Sequence, residues 1–144
     1  MSNFRFFHPI EVRYGDLDPQ GHVNNAKYLT YMETGRIAYV KQLGLWNGGS
    51  FLDLGIILAE IRITFQAPIL YGTPLQVGVR ISRLGNKSLN TEYLLENMED
   101  GSQYAAGYGV LVAYDYHSGQ TIPIPETWRS TIHDFEGLAQ ESLS

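Results

Sequence analysis

Residues 14–25 read Tyr14-Gly15-Asp16-Leu17-Asp18-Pro19-Gln20-Gly21-His22-Val23-Asn24-Asn25, and a long helical pattern begins where this segment ends. The segment combines two carboxylates, an imidazole and several amides with a proline and two glycines. The first N–H groups of a helix have no intrahelical partner, so they can stabilise an oxyanion beside a nearby carboxylate. The segment therefore suggests hydrolysis of an acyl group.

The helical pattern covers residues 25–43. Apolar side chains recur there at spacings of three and four, at Tyr28, Leu29, Met32, Ile37, Tyr39, Val40 and Leu43. Asn24 or Asn25 is a suitable N-cap, and Gly44 is a suitable residue to follow the helix. Gly35 lies in the middle, where glycine is unfavourable, so it suggests a close contact with another backbone.

A period of two replaces the helical pattern in the second half of the chain. It predicts four half-buried strands near 57–65, 75–82, 88–96 and 104–116, in addition to a short strand at 8–14 before the motif. Short turns between the four strands predict an antiparallel meander in which consecutive strands pair. A short helix is expected from about Pro125.

The predicted fold class is α+β, with a five-stranded antiparallel sheet wrapped round one long helix. The 144 residues, 44% of them hydrophobic, suit a single domain at 1–136 followed by a frayed tail at 137–144. One helix cannot cover both faces of such a sheet. We therefore expect a second copy to bury the remaining apolar surface and sheet edges, in a homodimer or homotetramer.

Composition excludes several classes of protein. The net charge of −5 argues against nucleic-acid binding, and the lack of cysteine excludes disulfides, thiolate metal sites and a cysteine nucleophile. The four histidines do not have metal-binding spacing, so we expect no metal and no cofactor. No apolar run reaches the ~20 residues of a membrane span, and no signal peptide is visible, so a cytoplasmic location without a membrane partner is expected.

Three residues of the motif have two interpretations each. Asp18 is either a turn residue that caps backbone N–H groups or a catalytic carboxylate beside the helix start. Asp16 is interpreted as a structural turn residue, with an electrostatic influence on Asp18 as the alternative. His22 is either an interior hydrogen-bonding residue or a group that orients water or substrate.

A basic turn lies between the second and third of the four predicted strands. Arg83, Lys87 and Ser88 surround Gly85 and Asn86 there. Such a turn is either a solvated hairpin or, with its backbone N–H groups, a site for the phosphate groups of an acyl carrier.

The run from Tyr14 to Leu29 resembles the signature of the hotdog-fold acyl-CoA thioesterases, specifically the 4-hydroxybenzoyl-CoA thioesterase-like group. The resemblance covers nearly the whole chain, because the order of one strand, one helix and four strands also matches that fold. It implies a catalytic carboxylate at Asp18 and a backbone N–H at Asn25 that polarises the thioester carbonyl, in an active site at a subunit interface. The substrate-binding residues that follow from it and from the motif are Asn24, Tyr28, Arg83, Lys87 and Ser88.

The expected function is hydrolysis of an acyl-CoA to a free acid and CoA, with Asp18 as nucleophile or general base. Members that act on aromatic acyl groups often have bulky aromatic residues just before the helix. Here residues 22–25 are His-Val-Asn-Asn, which is closer to thioesterases of fatty acyl thioesters, including those of acyl carrier protein. The alternatives are an acyl-carrier-protein thioesterase, a hotdog hydratase or dehydratase that uses Asp18 with His22, and a non-catalytic acyl-CoA-binding module.

Overall fold

The computed structural model describes residues 3–138. In chain order the elements are β1 (Phe7–Ile10), α1 (Asn25–Gln42), β2 (Ile56–Phe65), β3 (Leu75–Leu84), β4 (Ser88–Asn97), β5 (Gln103–Asp115), β6 (Gln120–Thr121) and α2 (Glu126–Glu136). Two short 3₁₀ turns occur at Tyr14–Asp16 and Phe51–Asp53. The predicted long helix is confirmed to within one residue. The tail predicted at 137–144 lies outside the described residues from position 139 onward.

The strands form one antiparallel sheet in the order β1-β3-β4-β5-β2, with β6 added beside β5. The predicted meander is confirmed for β3, β4 and β5 and is wrong for β2. That strand pairs with β5, for example with Ile63 opposite Gly107, and not with β3. No tight hairpin joins β2 to β3 in the described chain: the connection between them runs past the start of α1, where the N–H of Val23 donates to the carbonyl of Ile69 at 2.9 Å. Adjacent pairing of the two strands is therefore not imposed by the connection.

The first strand ends earlier than the predicted strand at 8–14, because a turn forms there. The N–H of Asp16 donates to the carbonyl of Arg13 at 2.9 Å, and the Asp16 carboxylate accepts the Arg13 N–H at 3.0 Å. These two bonds close the 3₁₀ turn that follows β1. Tyr14 is consequently 82% exposed and does not share the buried side of Ile10.

Helix α1 packs mainly on β3, and Gly35 sets the distance between them. A β-carbon at Gly35 would lie 2.5 Å from Cγ1 of Val77 and 2.9 Å from Cγ2 of Val79. The close contact expected at this glycine therefore exists, but it is made with side chains of β3 and not with a backbone. Both valines are fully buried in the core that α1 shares with the sheet.

The C-terminal helix is held against α1 and β3 by a buried carboxylate. Pro125 precedes α2, as predicted, and Glu136 in its last turn is buried. The Glu136 carboxylate accepts the hydroxyl of Tyr39 at 2.6 Å and the N–H of Ile81 at 3.0 Å. Burial, followed by this hydrogen bond, raises the pKa of Tyr39, so its hydroxyl stays protonated.

Candidate active site

The Asp18 turn is the tight loop at residues 18–22. It lies between Leu17 and Val23, which form an antiparallel bridge. The Asp18 N–H donates to the carbonyl of His22 at 2.7 Å, and the Gly21 N–H donates back to the carbonyl of Asp18 at 3.0 Å. Gly21 has φ +80°, a conformation that favours glycine. The geometry agrees with the turn chemistry of the Asp-Pro-x-Gly sequence.

The two oxygens of the Asp18 carboxylate have different surroundings. Oδ1 accepts the N–H of Gln20 at 2.9 Å and the N–H of His22 at 3.3 Å. Among residues 3–138 no donor bonds to Oδ2. One oxygen therefore stabilises the turn while the other is available for chemistry, so the two interpretations of Asp18 are compatible.

The start of α1 leaves one N–H group available beside this turn. Asn24 is the N-cap, and its Oδ1 accepts the N–H of Ala26 at 2.9 Å, while its carbonyl accepts the N–H of Lys27 at 2.8 Å. The N–H of Asn25 has no acceptor within the described part of the chain. A free N–H at the positive end of an 18-residue helix is a suitable donor to a developing oxyanion.

One cleft of about 260 Å³ joins the turn to the helix start. It brings together five of the residues expected in the site from the sequence, and its full lining is Asp18, Gln20, His22, Val23, Asn24, Asn25, Tyr28 and Pro68. Most of these belong to the turn or to the beginning of α1. The cleft is therefore largely the product of one continuous segment of sequence.

Tyr28 forms a wall of the cleft. Its hydroxyl donates to the carbonyl of Ala67 at 3.1 Å, and its ring meets that of Phe65 edge-on at 4.9 Å. Burial raises the Tyr28 pKa, so the hydroxyl is neutral and already bonded. Phe65, which is 47% exposed, is a neighbour of the cleft that sequence reasoning missed, although its place at the end of the β2 alternation puts it on the α1 side.

Asp16 is buried beneath the turn and does not line the cleft. Its Oδ2 accepts the hydroxyl of Tyr31 at 2.6 Å, and its Oδ1 lies 3.8 Å from Nζ of Lys27. Burial alone would raise the pKa of this carboxyl, but the hydrogen bonds from Tyr31 and Arg13 and the Lys27 charge outweigh it and lower the pKa. The predicted structural role of Asp16 in the turn is confirmed.

The predicted phosphate site is the turn between β3 and β4, where the Gly85 N–H donates to the carbonyl of Ser88 at 2.8 Å. Lys87 Nζ donates to Oγ1 of Thr121 at 3.3 Å. A further cation, Arg129 of α2, donates to the carbonyls of Gly85 at 2.8 Å and Asn86 at 3.4 Å. Sequence reasoning missed Arg129, because a separation of more than forty positions carries no local signal.

Within one chain this basic turn and the cleft lie at opposite ends of β3. Gly35 packs at Val77 and Tyr39 is linked through Glu136 to Ile81, so α1 begins towards the start of the strand. The ten residues of β3 span about 30 Å at ~3.3 Å per residue. The structure therefore does not bring Arg83, Lys87 and Ser88 to Asp18 of the same chain.

Two further features of residues 3–138 bear on other classes of site. They contain no group of three or more His, Cys, Asp or Glu side chains arranged to hold a metal ion. Among the same residues, no helix has the length and apolar character needed to cross a membrane.

Comparison with known proteins assigns the family. The model of the Thioesterase-like superfamily matches residues 12–132, which include the whole cleft, α1 and the sheet from β2 to β6. The chain belongs to this superfamily. It is a thioester hydrolase with the α+β hotdog fold, and the resemblance inferred from the motif is confirmed.

Three similar proteins align with most of this chain. A thioesterase from Thermus thermophilus, solved in complex with coenzyme A and Zn, is 37% identical with a TM-score of 0.84, over 96% of this chain and 100% of that one. The uncharacterized protein YsmA of Bacillus subtilis is 28% identical over 131 residues, 91% of this chain and 87% of its own. The chloroplastic acyl-acyl carrier protein thioesterase ATL3 of Arabidopsis thaliana is 27% identical over 133 residues, 90% of this chain and 69% of its own.

Proposed function

We propose that this thioesterase hydrolyses an acyl-CoA to the free acid and CoA, with Asp18 as its catalytic carboxylate. The observation that carries the proposal is the cleft at the start of α1. Asp18, whose Oδ2 is unbonded within the described chain, and Asn25, whose N–H is likewise unbonded, both line it. A carboxylate and an oxyanion donor in one cleft are the two groups that thioester hydrolysis needs.

In the proposed reaction, the thioester carbonyl oxygen accepts the N–H of Asn25, which makes its carbon more electrophilic. Asp18 Oδ2 then attacks that carbon to give an anhydride that water later cleaves, or it removes a proton from a water molecule that attacks directly. The carbon–sulfur bond breaks in both routes, and the sulfur leaves with the bonding electrons. In the direct route the oxygen of water enters the acid, whereas in the anhydride route it enters the acid or the Asp18 carboxylate, depending on which carbonyl carbon water attacks. In both routes the protons of water balance the thiolate and the new carboxylic acid.

The leaving group needs little help from the protein. A thiol has an ordinary pKa of about 8.5, so a thiolate leaves without the obligatory protonation that an amine requires. We assign His22 the role of orienting water or substrate, because this residue lines the cleft together with Asp18. Tyr28 contributes an apolar wall for the acyl group, since its hydroxyl is already bonded to Ala67.

Coenzyme A is the proposed carrier, and a fatty acyl chain is the proposed acyl group. The Thermus thioesterase that resembles this chain was solved with coenzyme A bound, which supports the carrier. The similarity to an acyl-acyl carrier protein thioesterase keeps carrier protein as the second candidate. The fatty acyl preference rests on the sequence His-Val-Asn-Asn at 22–25, which replaces bulky aromatic residues.

A homodimer or homotetramer would complete the proposed site. Arg83, Lys87 and Ser88 lie at the far end of β3 from their own Asp18, so the same turn of a second copy is the proposed site for the CoA phosphates. Strand β2 pairs within the described chain only with β5, and its other edge is available to a second copy. We also propose a cytoplasmic location, as expected from the sequence.

Release of thiol from short, medium, long and aromatic acyl-CoAs, followed with a chromogenic thiol reagent, tests the proposal. Asp18→Asn keeps the turn acceptor and removes the base, so kcat should fall at least ~100-fold. Asp100→Asn is the matched control, because Asp100 Oδ1 also accepts an N–H two residues later, from Ser102 at 2.8 Å, in a turn that does not line the cleft.

Other outcomes separate the alternatives. Near-normal turnover by Asp18→Asn would contradict the assignment of that residue. Faster release from acyl carrier protein than from CoA would favour the second carrier. Hydration of an enoyl-CoA without thiol release would indicate a hydratase, and binding without turnover across the panel would indicate a binding module.

A further inference from the structure

We propose that Asp16 and Tyr31 are positioning residues for this hydrolysis: they fix the Asp18 turn against the first two turns of α1. In doing so they set the distance between the Asp18 carboxylate and the Asn25 N–H. The inference rests on the proposed function of Asp18. It concerns a buried pair that does not itself contact the cleft.

The contacts of Asp16 connect three parts of the site. Its carboxylate accepts the hydroxyl of Tyr31, in the second turn of α1, at 2.6 Å and lies 3.8 Å from Nζ of Lys27 in the first turn. Its carbonyl accepts the N–H of the N-cap Asn24 at 2.8 Å. Its carboxylate also accepts the N–H of Arg13, at the end of the preceding extended segment. Asp16 thus joins that segment, the cap and the helix, two residues before Asp18.

Among residues 3–138, the Asp18 side chain makes no bond to α1. Its carboxylate bonds stay inside the turn, at Gln20 and His22. Within the described chain, the side-chain bonds between the segment before Asp18 and α1 come from Asp16. Loss of the Tyr31 hydroxyl removes the shorter of these two side-chain links. The Leu17–Val23 bridge and the bond from the Asn24 N–H to the Asp16 carbonyl remain, so we expect a small shift of the turn relative to Asn25. A misplacement of about 1 Å can cost about 100-fold in rate.

The same helix contains a matched pair that can serve as control. Tyr39 lies eight residues after Tyr31, and its hydroxyl donates to the buried Glu136 carboxylate at the same distance, 2.6 Å. Each tyrosine is buried, and each loses one hydrogen bond to a carboxylate when it is replaced by Phe. Tyr39 is about 12 Å further along the helix at ~1.5 Å per residue, away from the cleft.

The experiment compares Tyr31→Phe with Tyr39→Phe in the intact protein, measuring kcat, KM and Tm with an acyl-CoA that the wild type hydrolyses. Tyr31→Phe should lower kcat about tenfold with KM changed less than about twofold, since the chemistry loses geometry while substrate contacts remain. Tyr39→Phe should lower Tm by about as much as Tyr31→Phe does, because each variant loses one buried hydrogen bond. It should keep kcat within about twofold of the wild type. Equal kcat in the two variants, whether reduced or not, would overturn the proposal.

Asp16→Asn tests the link between Asp16 and Tyr31 from its other side. It keeps an acceptor oxygen and removes the charge, so kcat should fall, and adding Tyr31→Phe should reduce kcat by less than the product of the two single effects. Multiplicative losses would contradict a shared link. Asp18→Asn separates failure of the proposed function from failure of the positioning role. If Asp18→Asn retains turnover, the proposed function of Asp18 is wrong. If Asp18→Asn is inactive while Tyr31→Phe is fully active, only the positioning role is wrong.

Discussion

Replacing Gly35 by Ala tests the packing of α1 on β3. In a solvent-exposed helix the change is favourable by about 1 kcal/mol, because glycine is a poor helix former. Here the new methyl carbon would lie 2.5 Å from Cγ1 of Val77 and 2.9 Å from Cγ2 of Val79. The optimal separation of carbon atoms is about 3.5–4.0 Å, so the helix and strand would have to separate by roughly 1 Å.

The expected change in the free energy of unfolding is the cost of overpacking less the gain in helix propensity. Overpacking of a filled core typically costs about 1–3 kcal/mol, and the two overlaps involve buried, β-branched side chains that cannot rotate freely. We therefore expect Gly35→Ala to destabilise the protein by about 1–2 kcal/mol despite its better helix propensity. The start of α1 should move as well, so kcat should fall in the folded enzyme.

Urea denaturation with a common m-value measures the change in free energy of unfolding. Thr34→Ala is the matched control, because this exposed neighbour gains helix propensity and lies outside the core. It should change stability by less than about 0.5 kcal/mol. Gly35→Ala in combination with Val77→Ala, which removes the nearest clash, should cost less than the sum of the single changes. A Gly35→Ala protein as stable as the wild type would refute the reasoning.

Three further predictions concern charge and hydrogen bonding. The Asp16 pKa is lowered from 3.8 in the folded protein. The stability that this carboxylate contributes is therefore present above about pH 4 and is lost as the pH falls through the lower folded pKa. The difference in Tm between wild type and Asp16→Asn should consequently shrink between pH 6 and pH 3. Glu136→Ala leaves the Tyr39 hydroxyl and the Ile81 N–H without their acceptor, and should cost about 2–4 kcal/mol in urea denaturation. Lys87→Ala should raise KM for an acyl-CoA several-fold at low salt and leave KM unchanged for an acyl thioester of N-acetylcysteamine, which has no phosphates.

The parts of the site that sequence could predict are local ones. The Asp18 turn follows from proline and glycine within three residues of the acid. The start and end of α1 follow from Asn24 and Gly44 at its two ends. Because Asp18 and Asn25 are seven positions apart, short-range structure is enough to place both residues at one cleft.

The wrong predictions concern contacts between residues far apart in the sequence, or a choice between two competing local contacts. Alternation predicts β2 as a strand, but it carries no information on which neighbour the strand takes, and the connection past Ile69 does not impose pairing with β3 in place of β5. The strand predicted at 8–14 stops at Ile10 because the Asp16 carboxylate takes the Arg13 N–H into a turn. Periodicity cannot weigh such a side-chain bond against continued extension.

The sequence by itself determined the helix, the number of long strands, the Asp18 turn and, through the motif, the family. The tertiary structure decided the partners of buried charges: Tyr31 for Asp16, fifteen positions away, and Tyr39 for Glu136, ninety-seven positions away. It also decided that the basic turn and the cleft lie at opposite ends of β3. Caps, turns and strand alternation depend on neighbours a few residues apart, whereas these contacts exist only once the sheet has brought distant segments together.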